Sequence, residues 1–163
     1  MANYATPKWL EEVRQQFEDT GVQERLKHMN YIFCYGIASD PDLGIEPPDL
    51  YFLHQLENGI TKDMRFVSKE EGHDICTWCL IAPIEVWKSI ITGDKKFITS
   101  VVQVKAKVEV GDRASLIGKV AAWADYYVEP YGKTNPKFPD EMSPSELKEY
   151  KKEISDFRAE LGI

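Results

Sequence analysis

Long hydrophobic runs are missing from this sequence: no apolar stretch approaches the roughly 20 residues that span a bilayer, so no transmembrane segment is expected. The stretch Met1-Ala2-Asn3-Tyr4-Ala5-Thr6 offers no charged segment followed by an apolar one, which leaves no secretion signal and makes the cytoplasm the expected compartment. Cysteine is scarce, three in 163 residues, and an odd count without a signal points to free thiols rather than a disulfide framework. Positive charge is in deficit. Twenty Lys and Arg against 27 Asp and Glu give a formal charge of −7, which argues against nucleic acid, because clustered cations carry binding to a phosphate backbone. The three histidines, His28, His54 and His73, show no ligand spacing, and no Gly-rich phosphate loop, serine elbow or paired-carboxylate motif occurs. No catalytic residue, metal or cofactor is therefore called for.

What is present is apolar and aromatic. Hydrophobic residues make up 43 % of the chain and charged residues 29 %, an ordinary soluble composition. A domain near this size buries about 68 to 70 % of its unfolded surface and can give part of its core to a cavity. The centre of the chain runs from Pro83 to Asp112. Pro83 can open a helix, and Ile84, Trp87 and Ile91 recur at helical spacing until Gly93. Phe97 to Val101 reads as an apolar loop. Val102, Val104, Ala106, Val108 and Val110 then alternate with Gln103, Lys105, Lys107 and Glu109, which predicts a half-buried strand ending at Gly111, with Asp112 placed to cap the next helix.

Two stretches, Glu85-Val86-Trp87-Lys88-Ser89-Ile90-Ile91-Thr92-Gly93 and Lys105-Ala106-Lys107-Val108-Glu109-Val110-Gly111-Asp112, resemble the sterol-carrier-protein-2 (SCP-2) family. The close match covers about a fifth of the chain, and the order of elements is compatible from about Met29 to Val128. The resemblance implies an α+β fold with a mostly antiparallel five-stranded sheet, helices over one face and an apolar tunnel for fatty acyl chains, acyl-CoA or sterols. Peroxisomal members of the family end in a small residue, a basic residue and leucine; this chain ends Glu160-Leu161-Gly162-Ile163, so peroxisomal import is not implied.

Along the chain, Thr6 with Pro7 starts a helix carrying Leu10, Val13 and Phe17, and Thr20 with Gln23 forms a capping box for a second. Tyr31 to Ala38 is apolar on both faces, as in a strand covered on both sides or at a subunit contact. Asn58-Gly59 predicts a two-residue hairpin between Leu50–Glu57 and Ile60–Val67, and a turn at Glu70-Glu71-Gly72 leads into a third antiparallel strand, Ile75 to Ala82. Asp112 to Tyr127 reads as one buried helix. An irregular arm begins at Glu129, and Ser143-Pro144-Ser145-Glu146 caps an additional C-terminal helix with Leu147, Tyr150, Ile154, Phe157 and Leu161 on one stripe. The expected division is residues 1–128 as an SCP-2-like domain with its N-terminal helices, and 129–163 as arm and helix packed on that domain.

Cys76-Thr77-Trp78-Cys79 has redox or metal spacing, yet residues three apart on a strand point to opposite faces, so buried structural cysteine is the expectation. His54, on the apolar face of its strand, is expected to be hydrogen-bonded structure. By the resemblance, the residues that border the tunnel and contact ligand are Trp87, Ile91, Phe97, Val101, Val104, Val120, Trp123 and Tyr127, with Lys95 and Lys96 near a head group. The expected function is non-catalytic binding or transfer of a lipid or other extended apolar molecule. The alternatives are an interaction module, a homodimer or the accessory subunit of an enzyme, and, further off, an acyl-thioester enzyme.

Overall fold

The computed structural model describes residues 1–163. Strands β1 (Ile32–Ile37), β2 (Leu50–Glu57), β3 (Ile60–Val67), β4 (Trp78–Ala82) and β5 (Lys107–Val110) form one sheet in the order β3-β2-β1-β4-β5. Asn58 and Gly59 turn β2 into β3 with φ of 51° and 77°, the left-handed backbone that this two-residue hairpin demands. The expectation of a mostly antiparallel sheet is corrected: the sheet is mixed, because β4 pairs with β1 in parallel. Helix α3 (Lys69–Ile75), not a turn, follows the hairpin, and it carries the chain across the sheet to run β4 alongside β1. Both central strands are buried on both faces, the usual situation of parallel neighbours.

The remaining helices are α1 (Pro7–Gln16), α2 (Thr20–Arg25), α4 (Ile84–Ile91), α5 (Phe97–Val102), α6 (Arg113–Val120), α7 (Ala124–Lys133) and α8 (Pro144–Leu161). All of them contribute to a single core over one face of the sheet. α3 alone covers the other face, against Cys34, Tyr51, Leu53, Val67 and Cys79. It lies so close that a Cβ on Gly72 would stand 2.6 Å from the Cys34 sulfur. Helices therefore flank both faces, unequally.

Several local expectations change for identifiable reasons. The apolar stretch from Phe97 is a helix rather than a loop, because Phe97, Ser100 and Val101 fall on one buried face at helical spacing. It ends with Val104 in the left-handed region at φ 57°, so the strand is confined to Lys107–Val110. The single helix from Asp112 is two, α6 and α7, and α7 continues through Pro130, past the expected start of the arm. Burial of Tyr127, Pro130 and Tyr131 offsets the hydrogen bond that the proline cannot make. The cap of α2 is Asp19, whose Oδ1 accepts from the Val22 N–H at 3.1 Å, rather than Thr20.

Other caps form as read. Thr6 Oγ1 accepts from the Trp9 N–H, Asp112 Oδ2 accepts from the Ser115 N–H at 2.8 Å, and Ser143 and Glu146 make a reciprocal capping box. α8 docks within the chain through Tyr150, Ile154 and Phe157, while Leu147 is partly buried and Leu161 exposed. The Tyr150 hydroxyl donates to the Tyr4 carbonyl at 2.7 Å, and Arg158 donates to the carbonyls of Glu46 and Pro48 at 2.8 and 2.6 Å. Asn3 and Lys137 form a parallel bridge, which straps the N-terminal segment to the arm.

Candidate ligand-binding site

Between the sheet and α1, α4, α5 and α7 lies a cavity of about 30 Å³, lined by Tyr4, Trp9, Tyr35, Phe52, Trp87, Ile90, Ile91, Phe97, Tyr127, Val128 and Tyr131. Alternation on β1 and β2 turns Tyr35 and Phe52 toward the helices. Helical spacing on α4 brings Trp87, Ile90 and Ile91 to meet them. Trp87 is fixed at its polar end, where Nε1 donates to the Gly36 carbonyl at 2.9 Å, and its ring stands edge-on to Tyr35 at 5.5 Å.

One end of this apolar seam is polar and buried, with Thr61 alone partly exposed. Tyr35 donates its hydroxyl proton to the Tyr127 oxygen at 2.7 Å. His54 Nδ1 lies 3.0 Å from the Tyr127 hydroxyl and 2.9 Å from that of Tyr131, and its Nε2 lies 2.8 Å from Thr61 Oγ1. Burial lowers the His54 pKa to about 3 and raises the three tyrosines well above their usual range, so every member is neutral at pH 7. His54 is thus hydrogen-bonded structure, as its place on the apolar face of β2 predicts.

The other end opens at Ile90, Ile91, Phe97 and Val128 into a groove of about 490 Å³, rimmed by Lys95, Lys96, Asp125, Glu129 and Lys133. Lys96 pairs with Asp125 at 3.0 Å and Lys133 with Glu129 at 3.5 Å, whereas Lys95 has no ion-pair partner. The site therefore joins a dry aromatic seam to a charged mouth.

Of the residues expected to touch a ligand, Trp87, Ile91, Phe97 and Tyr127 line the cavity together. Val101 and Val120 are fully buried in the core outside the lining, Val104 is 55 % exposed beyond the end of α5, and Trp123 is half-buried against His28. Sequence reasoning missed Tyr4, Trp9, Tyr35, Phe52, Ile90, Val128 and Tyr131. The spacing of Tyr127 and Tyr131, four apart on one helix, was the available signal for the last of the tyrosines.

All three cysteines are free thiols. Cys76 is not on a strand: it ends α3, and burial pushes its thiol up to about 11, away from the thiolate that redox or acyl-transfer chemistry needs. No helix is long and apolar enough to cross a membrane.

No family model matches the chain, and no curated protein matches it by sequence. Solved structures do. A conserved protein from Thermus thermophilus, described as possibly a sterol carrier protein, superposes with a TM-score of 0.72 at 15 % identity, over 87 % of this chain and 96 % of its own. A crystal structure of sterol carrier protein 2 gives 0.62 at 15 % identity, over 80 % and 95 %. Sterol carrier protein 2 from Yarrowia lipolytica in its apo form gives 0.50 at 15 % identity, over 77 % and 96 %. The resemblance drawn from the two central stretches holds at the level of architecture: the chain has the SCP-2-like fold.

Proposed function

We propose that this protein binds an extended apolar lipid, a fatty acid, fatty acyl-CoA or sterol-like molecule, without acting on it chemically. The observation that carries the reading is the continuous run from an all-hydrophobic lining to a lysine-bearing mouth. In the closed state the seam holds about 30 Å³, too little for an acyl chain, so ligand entry requires α4, α5 and α7 to part from the sheet. The energetics allow it. Each CH₂ removed from water contributes about 0.8 kcal/mol, so six methylenes supply about 5 kcal/mol, enough to draw out an open state a few kcal/mol above the closed one. Lys95 is available to a carboxylate or phosphate at the mouth, and the His54–Tyr127–Tyr131 cluster to a hydroxyl at the inner end. A His54 with pKa about 3 is not a general base poised near neutrality, which favours carriage over catalysis.

Native mass spectrometry of freshly purified protein, followed by organic extraction, should recover a lipid at near one per chain. Ile91, partly exposed where seam and groove meet, is the residue to change. Ile91→Asp should weaken a fluorescent fatty-acid probe at least tenfold in a protein with unchanged circular dichroism. Trp123→Asp, outside the lining, should leave it unchanged. An apo protein that binds no fatty-acid, acyl-CoA or sterol probe would overturn the reading and favour the interaction module instead.

A further inference from the structure

We propose that His73, Cys79 and Glu109 form a binding site for a zinc-class divalent ion on the face of the sheet opposite the cavity. Three separate elements meet there: His73 from the last turn of α3, Cys79 from β4 and Glu109 from β5. Each offers one ligand atom, and the three atoms all lie within 4.8 Å of one another. A tetrahedral ion with ordinary zinc bond lengths needs edges of about 3.3 Å between nitrogen and oxygen and about 3.5 Å between sulfur and oxygen. The corresponding separations here are 3.2 Å from His73 Nε2 to Glu109 Oε1 and 3.7 Å from Cys79 Sγ to Glu109 Oε1. The third edge, within 4.8 Å, closes by a turn of the imidazole, which is 27 % exposed and stands edge-on to Tyr51.

Donor chemistry selects the ion. One thiol, one imidazole and one carboxylate suit zinc or cobalt, whereas magnesium and calcium prefer all-oxygen shells. Tyr51 donates its hydroxyl to Glu109 Oε1 at 2.8 Å, an outer contact of the kind that aims a ligating carboxylate. Cys79 is fully buried while His73 and Glu109 are partly exposed, so the fourth position faces solvent and is completed by water. On binding, the thiol proton and the proton on His73 Nε2, where present, pass to solvent as the ion takes their places.

The test is anaerobic titration of the untagged, full-length protein with Co²⁺, read by absorption. One equivalent should give tetrahedral visible bands together with a near-ultraviolet thiolate-to-cobalt band, and Zn²⁺ should displace it. Cys79→Ser should abolish the thiolate band, and His73→Ala, at a partly exposed position that the fold can spare, should raise the Co²⁺ dissociation constant at least tenfold. Cys76→Ser should keep both band and affinity. An octahedral spectrum without a thiolate band overturns the site, as does a band that survives Cys79→Ser or a dissociation constant unmoved by His73→Ala. None of these outcomes depends on lipid binding.

Discussion

Replacing Gly59 by alanine is expected to lower the unfolding free energy by about 3 kcal/mol and the melting temperature by about 6 to 12 °C. Two costs add. Gly59 holds φ at 77°, where an L side chain loses roughly 1 to 2 kcal/mol. A Cβ there would also stand 2.5 Å from the Gln23 carbonyl oxygen and 2.6 Å from the Leu26 carbonyl carbon. Those atoms are backbone, and they belong to the α2 segment packed over the hairpin, so relief requires the helix to move. Gly118, in α6, supplies the contrast: a Cβ there meets nothing within 4 Å, and Gly118→Ala should stabilise the chain by about 0.5 to 1 kcal/mol. Thermal and urea unfolding of the two variants should move in opposite directions. A Gly59→Ala protein as stable as wild type would mean that α2 does not hold the hairpin as described.

Acid should destabilise the protein through His54. The folded-state pKa is lowered from 6.5 to about 3 by burial, so below pH 6.5 the unfolded chain binds a proton that the folded chain refuses. Stability from this group is complete above pH 6.5 and is lost as pH falls toward 3, at about 1.4 kcal/mol per pH unit. Between pH 7.5 and 4.5 the loss amounts to about 3 kcal/mol. His54→Gln cannot titrate. It should be less stable than wild type at pH 7.5, through imperfect contacts to Tyr127, Tyr131 and Thr61, but should lose about 3 kcal/mol less on acidification. Urea melts of both proteins at pH 7.5 and 4.5 read the difference directly. Equal losses in the two would show that His54 is charged or solvated in the native state.

What could be read from the amino acids was local chemistry with one solution. Asn58-Gly59 admits few turns, Thr6-Pro7 and Ser143-Pro144-Ser145-Glu146 are caps, and the spacing of Ile84, Trp87 and Ile91 has the helical period. What could not be read was choice between partners. β4 is apolar on both faces, which states that it is covered without stating that β1 covers one edge in parallel. Phe97 to Val102 is rich in β-branched residues, which disfavour a helix, yet burying Phe97 and Val101 on one face outweighed that preference. Pro130 should break a helix and does not, because its neighbours Tyr127 and Tyr131 are held by the core. Four of the eight expected ligand residues line the cavity because they come from α4, α5 and α7 around the central stretch, where order along the chain and proximity coincide. Tyr4, Trp9, Tyr35 and Phe52 arrive from distant segments, and the cluster of His73, Cys79 and Glu109 likewise depends on α3, β4 and β5 coming together, which local spacing does not state.

The hydrogen bond from Tyr150 to Tyr4 joins residues 146 positions apart, and it bears on how the chain is made. At synthesis rates of about 5 to 20 residues per second, roughly 7 to 30 s separate the emergence of the two tyrosines from the ribosome. For most of that interval α1 can form while Trp9 and Phe17 lack Tyr131 of α7, and to its end Tyr4 lacks Tyr150 of α8. The nascent chain therefore carries an uncovered aromatic surface around α1 until α7 and α8 arrive, and this is the segment on which a chaperone would act.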